Sequence, residues 1–563
     1  MPRTARGLLA ATVLLIWAGC GRDAASGGSG GDGDPVSGGT VVIAQNSDMA
    51  QPLATLSQGG LDATLQDVLY MGLLRGEWAD GRVRYVTADE SPMALARSYE
   101  YVAPDSTGIR FHMRSDVRWS DGTPITAHDV VFTYHMLRDP MVASPRQDYT
   151  EHIEEVVAED DSTVLFRFRR RYPEMLFHST HGIVPRHVYE SVPPSELATH
   201  PSVRNPENGG LVVSGPYQIA SWSRGQQVVL SRNPHFQPAG YLDQIVFRVI
   251  PDATTRIVEL QTGTIDWVNG VGFEHVPMLR QQAPQIRFEM EEKRFYDYIA
   301  YNPNSFEAFA DPEIRRALGM AINVEGILEA LQMTEFAVRA SGPYPPIFAD
   351  LYDPQMTPLL PYDPDQAREI LSRKGWVDNN GDGIVEKDGK PFRFTLVTNS
   401  GNQRRADVSQ IVQQQWRQIG VDAQLRSLEF NTFMDALVRE DYEAALGGWG
   451  VPLSADLTGM WSPESPFNIV SYANPEAQRL FELALAQPTE EAAIPYWKQA
   501  AAKLVEDQPY TWLFYMDQVN GINERVRGVK VNTFGPYQNA WEWWIPEDQQ
   551  RGGFAPATTD TTE

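Results

Sequence analysis

One cysteine, Cys20, serves a chain of 563 residues. A single thiol cannot close an intrachain disulfide, and it excludes the multi-cysteine zinc and redox motifs. Cationic residues are also scarce: 47 Lys and Arg stand against 73 Asp and Glu, a formal net charge of -26. A phosphate backbone is held by clusters of Lys and Arg, so nucleic acid is excluded as a partner and the acidity reads as a solvated surface. Long apolar runs are missing too, since the one at residues 7–18 covers roughly 12 residues where a spanning helix needs about 20. No GxSxG elbow stands outside the Gly/Ser-rich run of residues 26–31, and there is no HExxH, no Walker-type phosphate loop and no CxxC, so no enzyme is expected. His178 and His181 make an HxxH pair without a clear third ligand. The segment DNNGDG at 378–383 opens like a calcium-binding loop, yet its twelfth position is Gly389 rather than Glu, and the same residues make a good turn. No metal and no cofactor is expected.

What is present begins with an address. Arg3 and Arg6 precede the short apolar run, the pattern of a signal peptide over residues 1–19, and place the chain outside the cytoplasm. Ala18, Gly19 and Cys20 resemble a lipobox whose cysteine is acylated after cleavage, with Trp17 an atypical residue three positions before it. Otherwise Cys20 sits in an ordinary cleavage site. Several acyl chains, at about 0.8 kcal/mol per buried CH2, would anchor the chain on the outer side of a cell membrane. Residues 20–39, rich in Gly and Ser, read as a flexible tether whose Gly/Ser stretch spans roughly 25 Å, and residues 547–563 as a disordered tail.

Between these ends the chain has two textures. From Thr40 the stronger signals are strands, with Val41, Val42 and Ile43 a buried run and Val164, Phe166 and Phe168 alternating with Leu165 and Arg167. Past residue 300, helices with matching punctuation alternate with strands. Asp311-Pro312, Asp363-Pro364 and Asn474-Pro475 each place a capping side chain before a first-turn proline, and Gly375 stops the second of these helices. The densest block is residues 109–140. Ile109, Phe111 and Met113 alternate with polar residues, Ser120-Asp121-Gly122 makes a turn, and Thr126 with Asp129 forms a capping box before Val130, Tyr134 and Leu137 on one helix face.

Within that block the string RWSDGTPITAHDVVFTY resembles the signature of the bacterial extracellular solute-binding proteins of family 5, which serve ABC importers of oligopeptides, dipeptides and nickel. The resemblance recurs in IVPRHVYE (183–190), SGPYQI (214–219), LSRNPHF (230–236), LQTGTIDW (260–267), DPEIRRALGMAINVEGIL (311–328) and YDPDQAREILSRKGW (362–376). It implies an α/β fold of two lobes around a cleft, the large type II variant of the periplasmic-binding-protein architecture with an extra subdomain inserted in the first lobe. On this reading lobe I comprises residues 40–75, 183–290 and 520–546, the inserted subdomain 76–182, and lobe II 291–519. The chain would cross between lobes near residues 291–301 and 514–521.

Ligands in open α/β sheets bind beyond the carboxyl ends of strands. Two loops meet that condition. One carries Asn399, Arg404 and Arg405, amide and guanidinium groups suited to carboxylates, and the other sets Trp449 between glycines that allow close backbone approach. A solvated role for the arginines and a core role for Trp449 stay open. In the resembling peptide binders an aspartate shortly after this tryptophan holds the ligand's amino group. Here Pro452 occupies the third position after Trp449 and the nearest carboxylate is Asp456, which either substitutes from a shifted loop or is structural. Trp461, Tyr298 and Tyr217 are possible aromatic walls, or core. The resemblance implies a monomer that captures di- to oligopeptides and delivers them to ABC permease subunits. Oligosaccharides, nickel complexes and other small solutes remain alternative ligands, and solute sensing without import an alternative role.

Overall fold

The computed structural model describes residues 33–57, 60–79, 81–102, 106–355 and 360–551. The expected signal peptide, Cys20, most of the expected tether and the expected tail beyond Arg551 lie outside them. In chain order the first strands are β1 (Thr40–Gln45), the hairpin β2 (Arg75–Ala79) and β3 (Arg82–Val86), and β4 (Ala96–Val102), β5 (Gly108–Met113), β6 (Ile153–Asp160) and β7 (Thr163–Phe168). There follow β8 (Tyr217–Ser223), β9 (Gln227–Arg232), β10 (Gln244–Val249), β11 (Trp267–Asn269) and the long β12 (Ile286–Tyr301). The later strands are β13 (Ala337–Arg339), β14 (Glu386–Lys387), β15 (Lys390–Pro391), β16 (Arg393–Asn399), β17 (Asp422–Leu428), β18 (Ala444–Gly450) and the long β19 (Tyr510–Asn523).

An eleven-stranded sheet runs in the order β17-β16-β18-β12-β19-β11-β1-β10-β9-β8, with β13 added beside β19. Two halves are joined in it by the long strands alone. In the first half β1 lies parallel to β10 and β11; in the second β16 lies parallel to β17 and β18. Successive residues of β1 enter opposite cores, Val41 and Ile43 on one face and Val42 and Ala44 on the other, which is why this strand reads as a continuous apolar run. The pairing of β12 with β19 breaks between Glu291 and Phe295, opposite Gln518 and Met516. An interrupted ladder bends and twists a strand pair locally, so each long strand serves one half-sheet before the break and the other after it.

The four-stranded antiparallel sheet β4-β5-β7-β6 carries the block that is densest in the sequence. Ile109, Phe111 and Met113 are buried while His112 is exposed. Thr126 and Asp129 form the capping box of the helix Ala127–Arg138. The other oxygen of Asp129 accepts the backbone N–H of Arg186 (2.9 Å), the hydroxyl of Thr133 accepts that of Val184 (3.0 Å), and Asp121 meets His187 Nε2 at 2.7 Å. Polar side chains at these positions therefore fasten residues 121–133 to residues 184–187, and Trp119 is fully buried beneath them. The three Asp/Asn-Pro helix starts form as expected, with Asp311, Asp363 and Asn474 each accepting a first-turn N–H. Gly375 takes φ +86°, the left-handed region that a helix stop favours.

Both ends of the described chain are more tightly held than their composition suggests. Gly38 donates to the carbonyl of Tyr241 and Gly39 to Asp243, so the last residues of the expected tether already belong to the fold. Residues 547–549 form a turn, Gln550 donates to the carbonyl of Ser37, and Arg551 to that of Gly263. Backbone carbonyls of distant segments capture these polar side chains, which composition cannot reveal. Asp266 and Arg525, fully and almost fully buried, form a two-pronged ion pair at 2.6–2.7 Å. Asp266 also accepts the N–H of Val42, while Arg525 donates to the carbonyls of Thr40 and Gln549.

Candidate functional site

The carboxyl ends of parallel strands from both halves face one cavity of about 510 Å³. From the first half come the start of the helix Ala253–Thr262, which follows β10, and the loop 270–275 after β11; from the second come the loop 401–405 after β16 and Gly448 on β18. The strand break supplies the floor, with Phe295, Asp297 and the segment 516–519. A cavity placed there changes shape whenever the two halves swing about the break.

The charged centre of this cavity is a group of three side chains. Asp297, only 1% exposed on β12, accepts from Nε and Nη2 of Arg404 on one oxygen (3.1 and 3.0 Å) and from Nε and Nη2 of Arg405 on the other (3.3 and 3.2 Å). Arg405 also donates from Nη1 to Asn399 (2.8 Å), so Asn399 positions this arginine. Two guanidinium groups share one carboxylate, leaving one surplus positive charge. It stands at the amino end of the sixteen-residue helix Gln403–Gln418, whose first turn Asn402 caps and whose dipole adds to the attraction for an anion. Arg404 is the more open of the two arginines, at 26% side-chain exposure against 13%. The glycines around Trp449 serve this packing: a Cβ on Gly448 would overlap Arg405 and Asp297.

Sequence reasoning missed Asp297. The available signal was a carboxylate inside the otherwise apolar and aromatic strand segment 295–301, a residue type that is buried only with partners. Trp449 alternates away from Gly448 toward the opposite face, where its ring stacks on Tyr298 (centroids 6.0 Å apart, 12° between planes) and its Nε1 donates to the hydroxyl of Tyr510 (3.3 Å). It is partly buried, with Phe467 edge-on beside it. Tyr298 and Trp461, expected as possible walls, are instead wholly enclosed. Tyr298 stacks on Tyr510 at 4.2 Å and Trp461 packs against the same ring, so they form the aromatic core behind Trp449. Tyr217 is corrected likewise: β8 is an outer strand of the first half-sheet, and its ring lies in the core against Gly240.

Asp456 is not among the residues gathered at Asp297. One of its oxygens accepts the N–H and hydroxyl of Thr458 (2.7 and 2.6 Å), the first residue of the short turn Thr458–Trp461. Asp456 borders a smaller cavity of about 70 Å³ between the β2–β3 hairpin, residues 172–174 and residues 453–456, walled by Trp78, Phe348 and Trp497. Burial raises its carboxyl above the usual range, and burial pushes nearby Glu174 up to about 7. Ser454 donates to Glu174 across this crevice. Leu453 and Val83 border both this cavity and a third, of about 260 Å³, that reaches Asp67 and His181.

His178 and His181 do not converge on a metal. The Nδ1 of His178 meets the hydroxyl of Tyr172 at 2.6 Å, and burial pulls both imidazoles down to about 4, which keeps them neutral. In the 378–383 turn, Asp378 accepts the N–H groups of Gly381 and Gly383. Glu386, in the ninth rather than the twelfth position, joins Asp378 and Asp382, with ligand oxygens within 4.8 Å of one another. Among the described residues no helix is long and apolar enough to cross a membrane.

Residues 92–470 match the family model described as bacterial extracellular solute-binding proteins, family 5 Middle. The oligopeptide-binding protein AppA of Bacillus subtilis is 28% identical over 524 residues, covering 91% of this chain and 93% of that protein. The structure of B. subtilis AppA in complex with a nonapeptide superposes with a TM-score of 0.75 at 26% identity, over 91% of this chain and 100% of the other. NikZ from Campylobacter jejuni, in complex with Ni(L-His), shares the fold with a TM-score of 0.75 at 23% identity, over 90% and 99% of the two chains. The architecture is therefore the two-lobed α/β fold of periplasmic binding proteins.

Proposed function

Because the chain belongs to the bacterial extracellular solute-binding proteins of family 5, we propose that it captures peptides in the cleft at the strand break and delivers them to an ABC permease. The observation that carries this reading is the surplus charge of the Asp297, Arg404 and Arg405 group at a helix amino end, which suits the α-carboxylate of a peptide. The 28% identity to an oligopeptide-binding protein supports the same ligand class. Arg404 would hold the carboxylate and Asn399 would keep Arg405 in place. The amino end would lie toward the crevice of Glu174 and Asp456, whose carboxyl oxygens could accept its N–H groups. Peptide contacts with both halves would favour the closed arrangement by the difference in affinity for closed and open states.

Thermal unfolding of the mature protein with tri- to pentapeptides, as free acids and as C-terminal amides, tests this. A ligand at about 100 times its dissociation constant adds about 2.7 kcal/mol of stability. Free acids are expected to raise the midpoint and amides to raise it less. If only oligosaccharides or Ni2+ complexes act, peptide is the wrong ligand. The proposed working division is lobe I at 40–75, 183–290 and 520–546, the inserted subdomain at 76–182, and lobe II at 291–519. The protein would act as a monomer, held to the membrane through acylated Cys20. The Cys20→Ser variant should leave the membrane fraction, and unchanged fractionation would remove the anchor.

A further inference from the structure

The arginine pair poses a question that carboxylate binding alone does not answer. Two adjacent guanidinium groups at a helix amino end would attract any anion, and a dianion most of all. The fold instead buries a carboxylate against both, on a strand whose neighbours are aromatic and aliphatic. The rest of the cavity lining brings three more charges: Arg256, whose guanidinium donates to the carbonyls of Ile250 and Pro251, and Glu274 and Asp517. Counting Asp297, Arg404 and Arg405, the lining carries three cations and three carboxylates. The single surplus charge of the arginine pair therefore serves one carboxylate beside Arg404, and the rest of the lining holds no reserve of positive charge for a second.

We propose that Asp297 is the residue that sets ligand charge specificity, restricting the arginine subsite to ligands that end in a single carboxylate and disfavouring ends that carry two negative charges. This rests on the carboxylate-end reading of the cleft given above. It adds that selectivity arises from a buried group that need not touch the ligand: Asp297 acts through Arg404 and Arg405. Gly448 permits the arrangement, because a side chain there would displace Arg405 from Asp297. Moderate attraction also suits a carrier that must release its cargo, since two unpaired arginines would hold an anion longer.

The test compares two peptides that differ only at the last residue, Ala-Ala-Ala and Ala-Ala-Asp, by calorimetric titration of the full mature chain. Wild type should prefer the first. In Asp297→Asn, which keeps the side-chain shape and removes the charge, the preference ratio should move toward the dianionic end by at least about tenfold, because like and unlike charges at close range discriminate strongly. The shift should shrink at high salt. Arg404→Gln, a change at a partly exposed position, should move the ratio the opposite way. A purely positional role for Asp297 would weaken both peptides alike, so an unchanged ratio in Asp297→Asn and Arg404→Gln overturns the inference. If wild type binds free acids better than amides while the ratios stay fixed, only the role of Asp297 falls. If wild type binds neither peptide, the peptide reading falls and this inference with it.

Discussion

Asp266→Asn is expected to lower the unfolding free energy by about 3–5 kcal/mol, because it leaves Arg525 buried without its counter-charge. The cost is high for a structural reason. Arg525 is 6% exposed and spends its remaining donors on the carbonyls of Thr40 and Gln549, so it cannot swing out to water without releasing both chain ends. Asp266 likewise orders the entry to β1 through the N–H of Val42. Denaturant unfolding of the full chain reads the loss as a lower midpoint. The paired change Asp266→Leu with Arg525→Met should recover part of it, since removing both charges abolishes the unpaired one while the carbonyls still lose a donor. A single variant within about 1 kcal/mol of wild type would show that the pair is dispensable.

Stability should also fall as pH rises from about 4.5 to about 7, by on the order of 2–3 kcal/mol from Glu174 alone. Burial in the crevice of Trp78, Phe348 and Trp497 pushes its carboxyl up to about 7, and the carboxylates of Asp456 and Glu490 push the same way, against the hydrogen bond from Ser454. The folded state therefore holds a proton that the unfolded chain releases near 4.5. Its contribution is complete below 4.5, declines through the interval and is gone above 7. Charged groups around the crevice include Arg82, Asp350, Glu490 and Glu491, with His152 on the side of Asp456. Glu174→Gln should flatten the decline and raise the midpoint at pH 8. An equal slope in wild type and variant would assign the pH dependence to other groups.

The cleft and the scaffold were not equally legible. Capping boxes, proline starts and the alternation of Ile109, Phe111 and Met113 act between residues a few positions apart, so the local chain both encodes and satisfies them. The site depends on longer reach. Asp297 meets its arginines across 107 and 108 residues, and Ser454 meets Glu174 across 280. Asp456, for which the sequence left both an amine-binding and a structural role open, has one oxygen engaged by Thr458 two residues away. Trp461 and Tyr298 have the composition of a binding wall, and only the packing around Tyr510 makes them core.

The amino-acid sequence by itself determined the class of fold, the family and the two loops at strand ends where a ligand could be held, because periodicity, caps and turns are properties of neighbouring residues. Tertiary structure alone decided which side chains face the cleft and what charge they leave there. That outcome depends on which of the many carboxylates the folded chain buries against Arg404 and Arg405, and the energy of such a pair exists only once distant strands have brought the charges out of water and into contact.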